Sequence, residues 1–186
     1  MGWVLPHVAE VNVLQIVLFV ALGLVIGSFL NVLIYRLPLM ILGDEEQEHV
    51  AFNLKTPSSH CPHCQHSLKW YELIPVLSYC LSLGRCRHCQ VAISFRYPLV
   101  EILTAGLFWL CLLKFGFGMP ALLGGVFCAT LLALAWIDAE TFLLPDTLTQ
   151  ALLWLGLIGS AMSLTPTSLV HSLSGAVLGY GLLWLV

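Results

Sequence analysis

Apolar residues fill most of this chain in long runs, and one extended polar stretch interrupts them. Val11–Tyr35 is 25 residues without a charge. About 20 apolar residues suffice to cross a bilayer core as a helix, so this run predicts a first membrane span. Tyr97–Leu113 predicts a second, with Pro98 in its first turn, where a missing N–H is tolerated. Phe115–Ile137 predicts a third, and Thr147 to about Leu164 a fourth. Thr165-Pro166-Thr167 then breaks the pattern. A fifth run, Ser172–Val186, has 15 residues, about 22 Å of helix. That falls short of a hydrocarbon core of about 30 Å, so the fifth span reads as unfinished.

The polar stretch contains an internal repeat. Cys61-Pro62-His63-Cys64-Gln65 is echoed 25 residues later by Cys86-Arg87-His88-Cys89-Gln90. Two Cys-x-x-Cys turns can each offer two thiolates to one tetrahedral ion, and four thiolates close the site. Cys61, Cys64, Cys86 and Cys89 are therefore the candidate ligands of a structural zinc. A loop of this size with few large apolar residues needs such a staple. The rival reading is a redox dithiol, since Cys-Pro-His-Cys also occurs in thiol oxidoreductases. No βαβ pattern surrounds it, and a cytoplasmic setting keeps dithiols reduced. His60, His63, His66 and His88 read as solvated residues around the metal. Cys111 and Cys128 lie in apolar runs and read as packing residues.

The predicted fold is an all-α polytopic membrane protein. It is a helical bundle of about five spans with a small zinc-ribbon-like insertion after the first helix. The expected divisions are 1–35, the N-terminus and first span; 36–97, the tetracysteine domain; and 98–186, the remaining spans. Composition agrees: 59% of residues are hydrophobic and 9% charged, against about 25% charged in soluble domains. Six of the seven Lys and Arg residues fall between Arg36 and Arg96. By the positive-inside rule that stretch is cytoplasmic, and the N-terminus lies outside. No Lys or Arg precedes the first run, so a secretory signal peptide is not expected. Gly23-x-x-x-Gly27 and Gly175-x-x-x-Gly179 read as close helix packing within one molecule.

Three acids stand out. Asp138 closes the third apolar run, and an ionisable group at membrane depth is a functional candidate by default. A marker of the membrane boundary is the plainer reading of the same position. Asp146 follows Pro145 and reads as a helix N-cap. Glu101, in the first turn of the second span, is placed to pair with Arg96 and to meet the helix dipole. Asn31 and Arg36 could join the same polar cluster.

Several stretches together resemble the prepilin leader peptidase family, the bifunctional membrane aspartic proteases of type IV pilus and type II secretion systems. They are Gly27-Ser28-Phe29-Leu30-Asn31-Val32-Leu33-Ile34-Tyr35-Arg36-Leu37-Pro38, the two cysteine turns, Arg96-Tyr97-Pro98-Leu99-Val100-Glu101, and Ile137-Asp138-Ala139-Glu140 with Leu143-Leu144-Pro145-Asp146. They occur in the family's order over roughly residues 20–186. The resemblance implies an eight-helix protein of the bacterial inner membrane that acts on prepilin and pseudopilin substrates. It would cut the leader at the cytoplasmic face, after a Gly, and N-methylate the new terminus from S-adenosylmethionine. Asp138 matches the family's first catalytic aspartate, and the four cysteines match its cytoplasmic cysteines. Gly84 and Arg85 fall where the family often has Gly and a basic residue. The partners implied are the pilin substrates and the bilayer, with no nucleic acid.

The sequence departs from the family in one place. The second catalytic aspartate belongs to a Gly-x-Gly-Asp motif, and none occurs here. With the short fifth run, this gives the expectation of an incomplete N-terminal part of a longer enzyme. Two other classes stay open: a zinc-module membrane protein that retains only partner binding or methylation, and a membrane thiol oxidoreductase. No Gly-rich nucleotide loop marks where S-adenosylmethionine would bind.

Overall fold

The computed structural model describes residues 11–43, 59–61 and 63–185. Met1 to Glu10, Lys55 and Val186, which entered the readings of leader, charge and fifth span, lie outside the described residues. Among the described residues there are six α-helices: α1 Val13–Leu42, α2 Leu77–Leu81, α3 Arg96–Phe115, α4 Met119–Thr141, α5 Asp146–Ala161 and α6 Leu169–Trp184. Among the described residues no extended strand forms. A 3-10 turn, Trp70–Leu73, precedes α2.

Three of these helices, α1, α3 and α4, are long and apolar enough to cross a membrane. They pack on one another and form the bundle, while α5 joins α4 and α6 joins α5. The shared core includes Phe19, Ile34, Val100, Phe108, Leu112, Ala129, Ala133 and Ile137. Bundle helices in lipid gain little from apolar burial and depend on close packing. Gly23 and Gly27 supply it between α1 and α3. A Cβ on Gly23 would lie 2.6 Å from Ala105 Cα, and one on Gly27 2.7 Å from Glu101 Cα. The second glycine pair behaves differently: nothing lies within 4 Å of a Cβ at Gly175 or Gly179. The intramolecular packing expected there is not met by any described residue.

Helix α1 begins where its cap dictates. Asn12 accepts from Leu14 N–H, and Gln15 Oε1 accepts from Asn12 N–H. It ends later than expected. Arg36 and Pro38 mark a helix boundary by charge and chain geometry, yet both lie inside the helix. The reason is burial: Ile34, Arg36 and Leu37 are all covered, so packing overrides the local stop signal. At 30 residues α1 is about 45 Å long, roughly 15 Å more than the hydrocarbon core.

The fourth and fifth expected spans appear as α5 and α6, of 16 residues each. Each is about 24 Å long, short of a full span. Helix α5 stops at Ala161, and the chain turns through Ser163 with φ 56°. Helix α6 starts three residues earlier than expected because the Ser168 hydroxyl accepts from His171 N–H. That serine cap was a legible signal. Asp146 is not the cap of α5. It is the first helical residue, its side chain makes no cap bond, and Pro145 holds the cap position. Its charge still favours the helix N-terminus.

Candidate functional site

The sequence repeat is also a structural repeat. In the first turn Cys61 N–H donates to His66 O, Gln65 N–H to Cys61 O, and Leu68 N–H to Ser59 O. In the second, Cys86 N–H donates to Val91 O, Gln90 N–H to Cys86 O, and Ile93 N–H to Gly84 O. Each bond has its counterpart 25 residues on. Bridges between His60 and Ser67 and between Arg85 and Ala92 close the two turns. Gln65 and Gln90 occupy the same left-handed conformation, φ 58° and 61°. Gly84 explains itself here. Its φ is +67°, and a Cβ would lie 2.8 Å from the Tyr79 hydroxyl.

The two turns face each other. All four Sγ atoms of Cys61, Cys64, Cys86 and Cys89 lie within 4.8 Å of one another. The recorded cross-pairs are Cys61–Cys89 at 3.8 Å and Cys64–Cys86 at 4.0 Å. A tetrahedron with metal–sulfur bonds of about 2.3 Å has edges of about 3.8 Å, so the cluster fits one tetrahedral ion of that size. Backbone N–H groups prepare the thiolates. Cys64 and His63 N–H lower the Cys61 thiol to about 7. Cys89 and His88 N–H lower Cys86 in the same way. At Cys89 the Val91 N–H pulls downward, but burial and the three neighbouring thiols outweigh it and push the group up to about 12. A cluster that gives up its first protons easily and resists the last needs a cation to become fully ionised.

Between this module and the adjoining ends of α1 and α3 lies a cavity of about 540 Å³. All four histidines line it, and His60, His63 and His88 are exposed, as expected, while His66 is half-buried. The His66 and His88 rings stack at 4.8 Å. At its bundle end sit three buried polar residues, Asn31, Arg36 and Glu101. Glu101 Oε2 accepts from Val76 N–H at 2.7 Å, tying the module to α3. Asn31 Nδ2 donates to Tyr97 O at 3.0 Å, while its Oδ1 is buried without a partner. Val76 has φ 58°, rare for a β-branched residue, and that twist accompanies the N–H bond to Glu101. Nothing in the sequence marks Val76 for this role.

The expected Glu101–Arg96 pair does not form. Arg96 turns to the other side of α3 and binds Glu140, with Trp136 Nε1 donating to the same carboxylate at 2.8 Å. Glu101 is instead satisfied by backbone from the module. Asp138 does lie in the last turn of α4, where Phe142 N–H donates to its carbonyl. It does not face the bundle interior beside Glu101 or Asn31, as a buried acid would. The covered residues of α4 are Ala121, Gly125, Ala129, Ala133, Leu134 and Ile137. Asp138 follows Ile137, about 100° around the helix, and is exposed although Leu134, one turn before it, is buried. Leu131 and Ala135, on the same side of the helix, are exposed as well.

A family model described as "Bacterial Peptidase A24 N-terminal domain" matches residues 21–115. One described as "Type IV leader peptidase family" matches residues 125–186. A prepilin leader peptidase/N-methyltransferase of Burkholderia pseudomallei (strain 1026b) is 41% identical over 93% of this chain and 60% of its own length. Proteins of the same name from Neisseria gonorrhoeae and Pseudomonas aeruginosa are 42% and 44% identical, over 89% and 90% of this chain and 62% and 61% of their own. The chain thus spans about 60% of the length of these curated relatives. No solved structure matches. Identity above 40% across some nine tenths of the chain, with two adjoining family matches, places it in the type IV leader peptidase family.

Proposed function

We propose that this protein is a bifunctional enzyme of the bacterial inner membrane that removes the leader from prepilins and pseudopilins and then N-methylates the new terminus. The observation that carries this reading is the extent of similarity to named prepilin leader peptidase/N-methyltransferases, covering the metal module and the Asp138 turn alike.

Asp138 is the proposed catalytic acid. In an aspartic protease one carboxylate takes a proton from the attacking water while its protonated partner polarises the scissile carbonyl. Glu140 is held by Arg96 and Trp136, and Glu101 is buried against Val76, so neither is placed to be that partner. Asp138 is exposed, which leaves its carboxylate open to a second acid. S-adenosylmethionine, when bound, would supply the methyl group to the new terminal amine.

Zinc is the proposed metal of the four cysteines, in a closed structural role. All four sulfurs converge within 4.8 Å of one another, which favours a shared ion over a redox dithiol. The module and the Asp138 turn are assigned to the cytoplasmic side, and the turn around Phe117 to the outside. A cysteine placed at 117 should label from outside cells above the background of the unsubstituted chain, and one at 142 should not. Leader removal and methylation are tested together by expressing the protein from its native gene with a prepilin and weighing the pilin N-terminus. A shortened, methylated product is expected. An uncut pilin would exclude the peptidase reading, and a cut but unmethylated one would exclude methyl transfer.

A further inference from the structure

The segment around α2 is turned inside out. Ser78, Tyr79 and Ser82 face the cavity, while Leu77, Leu81 and Leu83 lie outside it with exposures of 53%, 66% and 86%. Ile74 and Phe95 are exposed as well. In water the reverse arrangement is expected, since apolar surface is what folding buries. We propose that this outer face, centred on Leu77 and Leu81, is a membrane foot that lies in the lipid interface of the bilayer crossed by α1, α3 and α4. The proposal rests on the membrane reading of the bundle and is independent of prepilin processing.

Depth is the first argument. Helix α3 has 20 residues, about 30 Å, and so needs its whole length to cross a hydrocarbon core of about 30 Å. Its first turns therefore lie at the edge of the bilayer, and two contacts hold α2 alongside them. Val76 N–H, just ahead of α2, donates to Glu101 Oε2 at 2.7 Å. Glu101 stands five residues, about 7.5 Å, beyond Arg96 along α3. The Tyr79 ring meets that of Phe95, the N-cap residue of α3, edge-on at 6.4 Å. Helices that lie in an interface sink their apolar side about 5–10 Å into the boundary between headgroups and acyl chains, and the two contacts set α2 in that range. Continuity is the second argument. Ile102 and Leu103, which follow Glu101, are exposed too, so α3 offers apolar surface to lipid at the same level. Charge is the third. Arg85 and Arg87 follow Leu83 closely, are exposed, and pair with no carboxylate among the described residues. Basic groups next to an apolar face suit anionic headgroups.

The test uses the zinc-loaded protein, expressed from its native gene and reconstituted in vesicles of phosphatidylethanolamine and phosphatidylglycerol. Photoreactive benzoylphenylalanine replaces Leu77 in one preparation and Leu81 in another, and mass spectrometry identifies what each captures. Both should capture phospholipid. Leu77→Ser combined with Leu81→Ser should reduce the phospholipid captured from position 83 by about fivefold or more, because the foot loses most of its apolar area. Zinc content should stay unchanged. If the double variant loses its zinc, the single-position captures decide alone. Absence of phospholipid adducts from either position would overturn the proposal, as would undiminished capture from position 83 in the zinc-loaded double variant. Capture of another segment of the protein, or of a co-reconstituted prepilin in place of lipid, would give the face a different occupant and overturn it too. None of these outcomes bears on leader cleavage, which the pilin mass reports separately.

Discussion

Arg96 Nη1 donates to both carboxylate oxygens of Glu140, at 2.9 and 2.8 Å, and so ties the first residue of α3 to the last turn of α4. The pair is only partly buried, with side-chain exposures of 17% and 41%. Such pairs contribute about 0–1 kcal/mol to stability. Their positional effect is larger, because the bond fixes the helix turn that presents Asp138. Glu140→Gln should therefore leave the melting temperature near wild type and reduce leader cleavage about tenfold. Equal losses in both would show a structural role only.

The metal module should behave as one unit. Cys86→Ser should lower bound zinc from one ion per chain to nearly none, and a strong chelator should do the same to the unsubstituted protein. Zinc requires thiolates, so acid competes with it. Affinity should fall as pH drops through about 7, where Cys61 takes up its proton in the metal-free cluster. Zinc retained stoichiometrically by Cys86→Ser would mean that another residue completes the site.

Some of this was readable from sequence and some was not, for reasons tied to particular residues. The cysteine cluster was legible because the repeat is local: each Cys-x-x-Cys turn carries its own hydrogen bonds, and two equal turns need only face each other. The bundle helices were legible because lipid imposes long apolar runs. The end of α1 was not, because Arg36 and Pro38 give local stop signals that burial overrides. Partner choice was also hidden. Arg96 stands five residues from Glu101, yet the rotation of α3 sends the two side chains to opposite sides, and Glu101 is satisfied by Val76, 25 residues away. The exposure of Asp138 depends on which row of α4 packs inward. An apolar helix with little polar contrast does not declare that row.

Close packing of α1 on α3 gives a third expectation. A Cβ at Gly27 would meet Glu101 Cα at 2.7 Å and the Thr104 Cβ at 3.1 Å. Backbone cannot yield as a flexible side chain would, so Gly27→Leu should force the helices apart at a cost of at least about 1–3 kcal/mol. The displacement falls at Glu101, so the module should loosen as well. Gly175→Leu is the control, since its position is open. Equal thermal stability of the two variants in detergent would contradict the packing.

Asp138 provides the most direct test of the proposed chemistry. Asp138→Asn keeps the side-chain size and the backbone bond from Phe142 N–H, and removes only the ionisable carboxyl. Because Asp138 is exposed and lies off the packed row of α4, the substitution should leave the bundle and the zinc content unchanged. An amide can neither accept the proton of the attacking water nor share one with a second acid, so leader cleavage should be lost by at least about a thousandfold, as expected when a general base is removed from a paired mechanism. The informative experiment measures both in one preparation: zinc per chain and pilin mass. Cleavage that survives in a folded, zinc-loaded Asp138→Asn protein would remove Asp138 from the mechanism. Glu140 would then be the carboxylate to test next, since it shares the same helix turn and Arg96 already fixes its position.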